Sequence, residues 1–140
     1  GAVLMGHSQA GAFPLAAALL NPTAVTALVL IEPGACPGTY TDEQLKTLAT
    51  LPVLVVFGDH RDVSTGIGIR PSWQLSFESC QALIDRLVAA GDQAQMLSPA
   101  QTGIRGNSHM IMQDKNNLQI ADRILAWIDA HAGPQARGIR

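Results

Sequence analysis

The first 31 residues contain no Asp, Glu, Lys or Arg, and the first formally charged side chain is Glu32. This stretch is not a signal peptide, because it lacks a basic start and is interrupted by Gly6-His7-Ser8-Gln9 and by Pro14. It is also too often interrupted for a membrane span, which needs roughly 18–20 apolar residues in a row. We therefore expect it to form the inside of a folded domain, covered on both faces.

The composition excludes other classes of protein. Of the 140 residues, nine are basic and eleven acidic, and the basic ones include two lysines, Lys46 and Lys115. Such a chain has no basic surface for nucleic acid, and an apolar content of 47% excludes disorder. Cys36 and Cys80 permit one disulfide or none, and neither has the spacing typical of a metal site. We expect no cofactor and no metal.

Short apolar runs alternate with longer amphipathic stretches, which favours an α/β fold of four parallel strands connected by helices. The predicted strands cover residues 2–5, 25–31, 52–57 and 93–97. The predicted helices cover residues 11–20, 41–50, 72–90 and 114–131. Residues 1–132 are expected to belong to one domain, and residues 133–140 to form a mobile tail.

Apolar side chains recur at helical spacing in two of the predicted helices. In the last helix, Leu118, Ala121, Leu125 and Ile128 share an apolar face, which is flanked by Ile124 and Trp127. Trp73 and Phe77, at helical spacing, are expected to pack in the core, with a pocket wall as the alternative. Met110 and Met112 either contact a ligand or pack.

The segment Gly6-His7-Ser8-Gln9-Ala10-Gly11 follows a predicted strand and precedes a predicted helix. A serine at positive φ in such a tight turn projects its hydroxyl out of the sheet. The neighbouring residues must be small because the strand and helix backbones nearly touch, and Gly6 and Ala10 meet that need. The N–H of Gln9, at the start of the helix, is expected to bind an oxyanion.

A serine hydroxyl becomes a nucleophile only when a base takes its proton, and the chain has four histidines. His7 lies within the turn, with its side chain expected to point away from Ser8. His60 lies in a loop and His131 at a helix end. His109 follows the last strand, and the carboxyl ends of parallel strands converge on one edge of the sheet. His109 is therefore the predicted base.

A serine and a histidine of this kind are completed by a third residue, a carboxylate that orients the imidazole. Glu32 directly follows the second predicted strand, where an unpartnered charge would be costly to bury. Asp62, in the loop after the third strand, is the alternative, although Asp59 or Asp62 could instead pair with Arg61. The sequence favours Glu32.

The order serine, acid, histidine on successive strand ends resembles the α/β-hydrolase fold. The segments GHSQAGAFP, IEPGACP, VVFGDH and GIRGNSHMIMQDKNNLQIADRILAWI resemble small bacterial carboxylesterases with a Ser-Glu-His triad, of the Alcaligenes esterase type. The resemblance implies a serine hydrolase that cleaves carboxylic esters through an acyl-enzyme. Ser8 would be its nucleophile, Glu32 its acid, His109 its base and Gln9 an oxyanion donor.

The chain departs from this family at its front. Such enzymes have further strands before the serine turn, and a second oxyanion donor in a loop after an early strand. We therefore expect the C-terminal catalytic part of a longer enzyme, or one chain of a cleaved pair, whose partner is the N-terminal half. The resemblance also suggests a periplasmic or secreted location. An acyltransferase, a lactonase or a non-catalytic binding module are the alternative functions.

Overall fold

A computed structural model describes residues 1–67 and 70–133; residues 134–140, the bulk of the predicted tail, lie outside the described part. In chain order the elements are β1 (Ala2–His7), α1 (Phe13–Leu20), β2 (Val25–Ile31), α2 (Asp42–Leu48), β3 (Val53–Val56), β4 (Ser64–Ile67), β5 (Arg70–Ser72), α3 (Trp73–Ala89), β6 (Gln95–Leu97) and α4 (Asn117–His131). The four parallel strands form one sheet in the order β1-β2-β3-β6. The predicted alternation of four parallel strands with helices is confirmed.

The sheet is apolar on both faces, and side-chain alternation divides it into two layers of core. Leu28 and Leu30 of β2 pack into one cluster with α1, α2 and α3. Val29 and Ile31 point to the other face, where they meet Ile111 and helix α4. All of these strand residues are buried. Burial on both faces explains why β2 is a continuous apolar run rather than an alternating one.

Several element boundaries differ from the prediction. Strand β1 continues to His7, and α1 begins only at Phe13, because residues 8–12 form the tight turn between them. Helix α4 begins at Asn117 rather than at residue 114. Helix α2 starts with a cap, in which Thr41 Oγ1 accepts from the Gln44 N–H and the Gln44 side chain accepts from the Thr41 N–H.

The antiparallel hairpin β4–β5 was not predicted from the sequence. It lies between β3 and α3, and Ser64 pairs with Ser72 across it. Its short strands lack the apolar runs that marked the other strands. The hairpin delivers the chain directly to Trp73, the first residue of α3.

The apolar face predicted for α4 is buried only in part: Ile128 and the flanking Ile124 and Trp127 pack on the core. Ile120, Ile124 and Trp127 are buried against the sheet, whereas Leu118 is 74% exposed and Leu125 57% exposed. The helix carries two apolar stripes with helical spacing, and periodicity cannot say which one meets the sheet. Contact with β2 and β3 decides in favour of the stripe that contains Trp127.

The second stripe of α4 borders an apolar groove beside strand β1. Met5, which is 53% exposed, lines the groove together with Ile31, Ala121 and Leu125. In the described part of the chain, β1 pairs with β2 and leaves its other edge open. Unpaired backbone groups of β1 therefore lie next to exposed apolar side chains.

Cys36 and Cys80 form a disulfide that joins the loop after β2 to helix α3, with the two Cα atoms 4.7 Å apart. Among residues 1–67 and 70–133, no helix combines the length and the apolar character needed to cross a membrane. Within the same residues, no group of three or more His, Cys, Asp or Glu side chains is arranged to hold a metal ion.

Candidate active site

Ser8 lies in the tight turn between β1 and α1, with a backbone φ of 56°. Few residues other than glycine adopt such an angle. Gly6 allows the turn, because a Cβ there would collide with the Ala10 carbonyl oxygen and lie 2.9 Å from Pro14 Cδ. Gly11 is needed as well, since a Cβ there would lie 2.5 Å from Pro33 Cα. The small residues therefore let strand, helix and the loop after β2 meet closely behind Ser8.

The backbone of Ser8 is tied to the loop that follows β2. Its carbonyl oxygen accepts a hydrogen bond from the Gly11 N–H at 2.9 Å and another from the Gly34 N–H at 2.8 Å. Gly34 is two residues beyond Glu32. The turn that carries the serine and the loop that carries the glutamate are therefore held in one fixed arrangement.

Glu32 lies at the carboxyl end of β2 and is 3% exposed. Its φ of 45° turns the side chain out of the strand direction, while its N–H still donates to the Val56 carbonyl at 2.8 Å. One carboxylate oxygen, Oε1, accepts a hydrogen bond from the Gly58 N–H. A Cβ at Gly58 would lie 2.5 Å from the Asn107 carbonyl oxygen and 3.1 Å from Oε1, so glycine is required there.

His109 connects Ser8 and Glu32. Its Nε2 lies 2.7 Å from Ser8 Oγ, and its Nδ1 lies 3.3 Å from Glu32 Oε2. A carboxylate can only accept, so Nδ1 carries the proton and Nε2 is free to accept from the serine hydroxyl. The structure thus brings together the three residues predicted from the sequence. Asp62, the alternative acid, is exposed in the loop after β3.

Carboxylates that the sequence did not assign hold the loop before and around His109. Asp59 accepts hydrogen bonds from the Gly106 N–H at 2.8 Å and from the Asn107 N–H at 2.7 Å. Asp114 accepts from the N–H and the Oγ–H of Ser108, at 2.7 and 2.8 Å. Burial raises the pKa of Asp59, but the backbone hydrogen bonds outweigh it and hold that pKa below its usual value. The clustering of Asp, Asn and Ser around His109 was the available signal.

Two aromatic rings contact the imidazole of His109. The Trp73 indole stacks on it with a centroid separation of 3.7 Å and an interplanar angle of 13°. The His7 ring lies 5.0 Å away, and its Nε2–H donates to the His109 carbonyl oxygen at 2.9 Å. The expectation of core packing is therefore wrong for Trp73. It holds for Phe77, which packs edge-on against Phe57 at 5.6 Å.

Burial shifts the ionisation of both members of the Glu32–His109 pair. Desolvation raises the pKa of Glu32 to about 7, although the Gly58 N–H and the positive charge of Arg61 lower it in part. Desolvation, with a smaller contribution from His7, lowers the pKa of His109 to about 4. At neutral pH the imidazole is therefore uncharged, which is the form that can accept a proton.

Comparisons with known proteins give the fold a context. A bacterial esterase solved at atomic resolution is 46% identical, with a TM-score of 0.81, over 94% of this chain and 38% of that chain. The solved esterase PE8 shares the fold at 20% identity and a TM-score of 0.56, over 91% of this chain and 50% of that chain. No family model matches the chain.

A curated relative was also found by sequence. The probable secreted lipase phiG of a fungal species (strain ATCC 74256) is 36% identical over 84 residues, which are 60% of this chain and 20% of that protein. The chain spans 38% of the bacterial esterase and 20% of the fungal lipase. It is thus part of an α/β-hydrolase fold and is similar to esterases of that fold.

Proposed function

We propose that these residues carry the catalytic triad of a serine hydrolase that cleaves carboxylic esters. The observation that supports it best is the hydrogen-bonded row Ser8–His109–Glu32, with contacts of 2.7 and 3.3 Å. Each member lies directly at, or in a loop following, the carboxyl end of a parallel strand. Similarity to esterases points to the same chemistry. In this proposal Ser8 lies in a nucleophile elbow.

Acylation begins when Ser8 Oγ bonds to the ester carbonyl carbon and its proton moves to His109 Nε2. The carbonyl electron pair moves onto oxygen, which becomes an oxyanion. The pair then returns, the bond to the alcohol oxygen breaks, and that oxygen takes the proton from Nε2. In its carboxylate form, Glu32 stabilises the imidazolium through Nδ1–H. Water activated by His109 then releases the acid and regenerates Ser8.

The oxyanion needs hydrogen-bond donors, and the N–H of Gln9 is the first that we propose. Gln9 follows Ser8 in the 3-10 turn and is exposed to solvent. Its position resembles the donor that follows the nucleophile in α/β-hydrolases. One donor of this kind typically contributes about 2.7–4 kcal/mol to the transition state. The second donor is proposed to come from polypeptide outside these residues.

We also propose that a further part of the same enzyme packs on the open edge of β1. The exposed side chains of Met5 and Leu125 and the apolar groove between them support this idea. Hydrogen exchange in the full-length protein tests it. The β1 amides that face away from β2 should be protected as strongly as those that face β2, and exchange at the rate of a loop would contradict the proposal.

Substitution of the nucleophile tests the proposed reaction. In the full-length protein, Ser8→Ala should lower kcat/KM on short p-nitrophenyl esters by 10⁴-fold or more, on the order of the loss seen when a triad is removed. Ser64→Ala, at an exposed serine in the β4–β5 hairpin, is the matched control and should leave the rate within about twofold. Full activity of Ser8→Ala would contradict the proposal.

Covalent labelling separates an enzyme from a binding module with the same fold. A phosphonate ester should modify Ser8 in the full-length protein, and peptide mass spectrometry identifies the site. The label should be lost in Ser8→Ala and kept in Ser64→Ala. If Ser8 of the well-folded full-length protein does not react, the binding-module alternative is supported instead.

A further inference from the structure

Trp73 is the aromatic residue whose position the triad itself does not explain. Its indole ring lies flat against the His109 imidazole, 3.7 Å from centroid to centroid and tilted by 13°. This stack leaves both ring nitrogens of His109 to Ser8 and Glu32. Trp73 therefore contacts the base without competing for its hydrogen bonds.

The position of Trp73 is fixed by the elements that also hold Glu32. Trp73 begins helix α3, and Ser76 in the same helix donates from Oγ to the Gly34 carbonyl at 2.6 Å. The Cys36–Cys80 disulfide joins the same loop and helix a second time, beyond Gly34 in the loop and beyond Ser76 in the helix. The indole face and the carboxylate are thereby set against His109 by one connected framework.

The charge of His109 changes during the proposed reaction. The ring is neutral in the resting protein and becomes an imidazolium when it takes the Ser8 proton. The groups that face it are Glu32 at the end of β2, which favours the cation, and His7 at the end of β1, which opposes it when protonated. Arg61, Asp59 and Asp114 act on the pair through Glu32. Partial burial opposes the cation as well.

We propose, on the basis of the proposed function, that Trp73 is a positioning residue that stabilises the imidazolium of His109 through its indole face. The face of an aromatic ring is electrically negative and attracts a cation within about 6 Å of its centroid. This attraction is stronger for the imidazolium than for neutral imidazole, so it lowers the barrier rather than merely binding the resting state. Trp73 also fixes the plane of the ring between Ser8 and Glu32.

The test compares Trp73→Leu with Trp73→Phe in the full-length protein. Leucine keeps an apolar cover over His109 but removes the π face, whereas phenylalanine keeps a weaker π face. Leu75→Ala, at a position 51% exposed on the same helix, controls for disturbance of α3. Circular dichroism verifies that each variant is folded.

Two measurements are made on each variant. NMR of ¹³Cε1-labelled histidine follows the protonation of His109 in the resting protein, and stopped-flow kinetics follow acylation by a short p-nitrophenyl ester. Trp73→Leu should lower both the proton affinity of His109 and the acylation rate by about 3- to 30-fold, because the same cation loses the same partner. Trp73→Phe should lose less of each, and Leu75→Ala should match the wild type in both.

Three results would overturn the inference. They are an unchanged or increased proton affinity of His109 in Trp73→Leu, an unchanged acylation rate in that variant, or equal losses in Trp73→Phe and Trp73→Leu. The protonation measurement needs no turnover, so it is independent of the proposed reaction. An active Ser8→Ala protein would overturn the proposed function, whereas an unaltered His109 titration in Trp73→Leu would overturn the role of Trp73 alone.

Discussion

The chain contains two tryptophans, and each is stacked on a histidine. Trp127 and His131 lie one turn apart on α4, with ring centroids 4.6 Å apart and an angle of 16°. Trp73 and His109 are 36 residues apart in sequence, with centroids 3.7 Å apart and an angle of 13°. A stacked Trp–His pair therefore occurs twice, once within a single helix and once between distant segments of the chain.

The hydrogen bonds of the two histidines distinguish them. His131 donates from Nδ1 to the Trp127 carbonyl at 2.8 Å, and its Nε2 lies 3.5 Å from the Gln95 side-chain nitrogen. His109 has a hydroxyl at one nitrogen and a buried carboxylate at the other. Stacking alone thus gives a histidine a fixed plane, whereas proton transfer needs a hydroxyl and a carboxylate at its two nitrogens.

Substitution of each histidine should give the largest difference in activity between the two Trp–His pairs. His109→Ala in the full-length protein is expected to lower kcat/KM on a short p-nitrophenyl ester by about 10⁴-fold or more, because Ser8 loses its proton acceptor. His131→Ala is the matched control and should retain activity within about twofold. Equal losses in the two variants would show that the Trp–His stack matters for stability rather than for proton transfer.

Substitution of the carboxylates tests what separates the two histidines. Glu32→Gln should lower kcat by about 10³- to 10⁴-fold, since an amide can present the wrong hydrogen-bonding group to Nδ1 and does not stabilise the imidazolium. Asp62→Asn, at the exposed alternative acid, should leave kcat nearly unchanged. The opposite ranking in the same kinetic assay would transfer the triad acid to Asp62.

In stability the order should be reversed: Trp127 should contribute more than Trp73 to the free energy of unfolding. Trp127 is 8% exposed and packs with Ile120 and Ile124 in the core. Trp127→Ala should lower the free energy of unfolding by about 3–5 kcal/mol, as large-to-small core substitutions do. Trp73 is half-buried, so Trp73→Ala should cost clearly less. Chemical denaturation measures both, and an equal cost would mean that Trp73 is also a core residue.

Glu32 and His109 should change the stability of the protein with pH in opposite directions. His109 has its pKa lowered to about 4, so it makes the protein less stable as the pH falls from 6.5 towards 4. Glu32 has its pKa raised to about 7, so its contribution is present below pH 4.5 and is lost as the pH rises through 7. Between pH 4.5 and 6.5 the two effects oppose each other.

Glu32→Gln removes one of these two opposing contributions. Relative to the wild type, the variant should gain about 3 kcal/mol of stability between pH 4.5 and 7, since each pKa unit corresponds to about 1.4 kcal/mol. Denaturation of both proteins across this range gives the difference directly. A difference that stays constant with pH would contradict the raised pKa of Glu32.

Much of the fold was predictable because the central strands β2 and β3 are buried on both faces and stand out as apolar runs. The predicted strand over residues 25–31 coincides with β2, and the predicted α/β class is confirmed. The hairpin β4–β5 was missed because its short strands have no apolar pattern. The sequence did not separate the buried side chains of α4, such as Ile124 and Trp127, from the exposed Leu118 and Leu125, because both sets have helical spacing.

The sequence by itself determined which residues could take part in the site. Ser8, Glu32 and His109 each come after a strand of the sheet, and parallel strands direct such positions to one edge. Local spacing also placed Trp127 and His131 on one face of a helix, because residues four apart are neighbours there.

Only the tertiary structure decided the contacts between distant segments. It set the Trp73 indole against His109, assigned Asp59 to the loop before that histidine, and paired Cys36 with Cys80. These contacts join segments whose separation in sequence carries no periodic signal. They depend on how α3 and the loop after β3 pack against the sheet, and local sequence does not encode this packing.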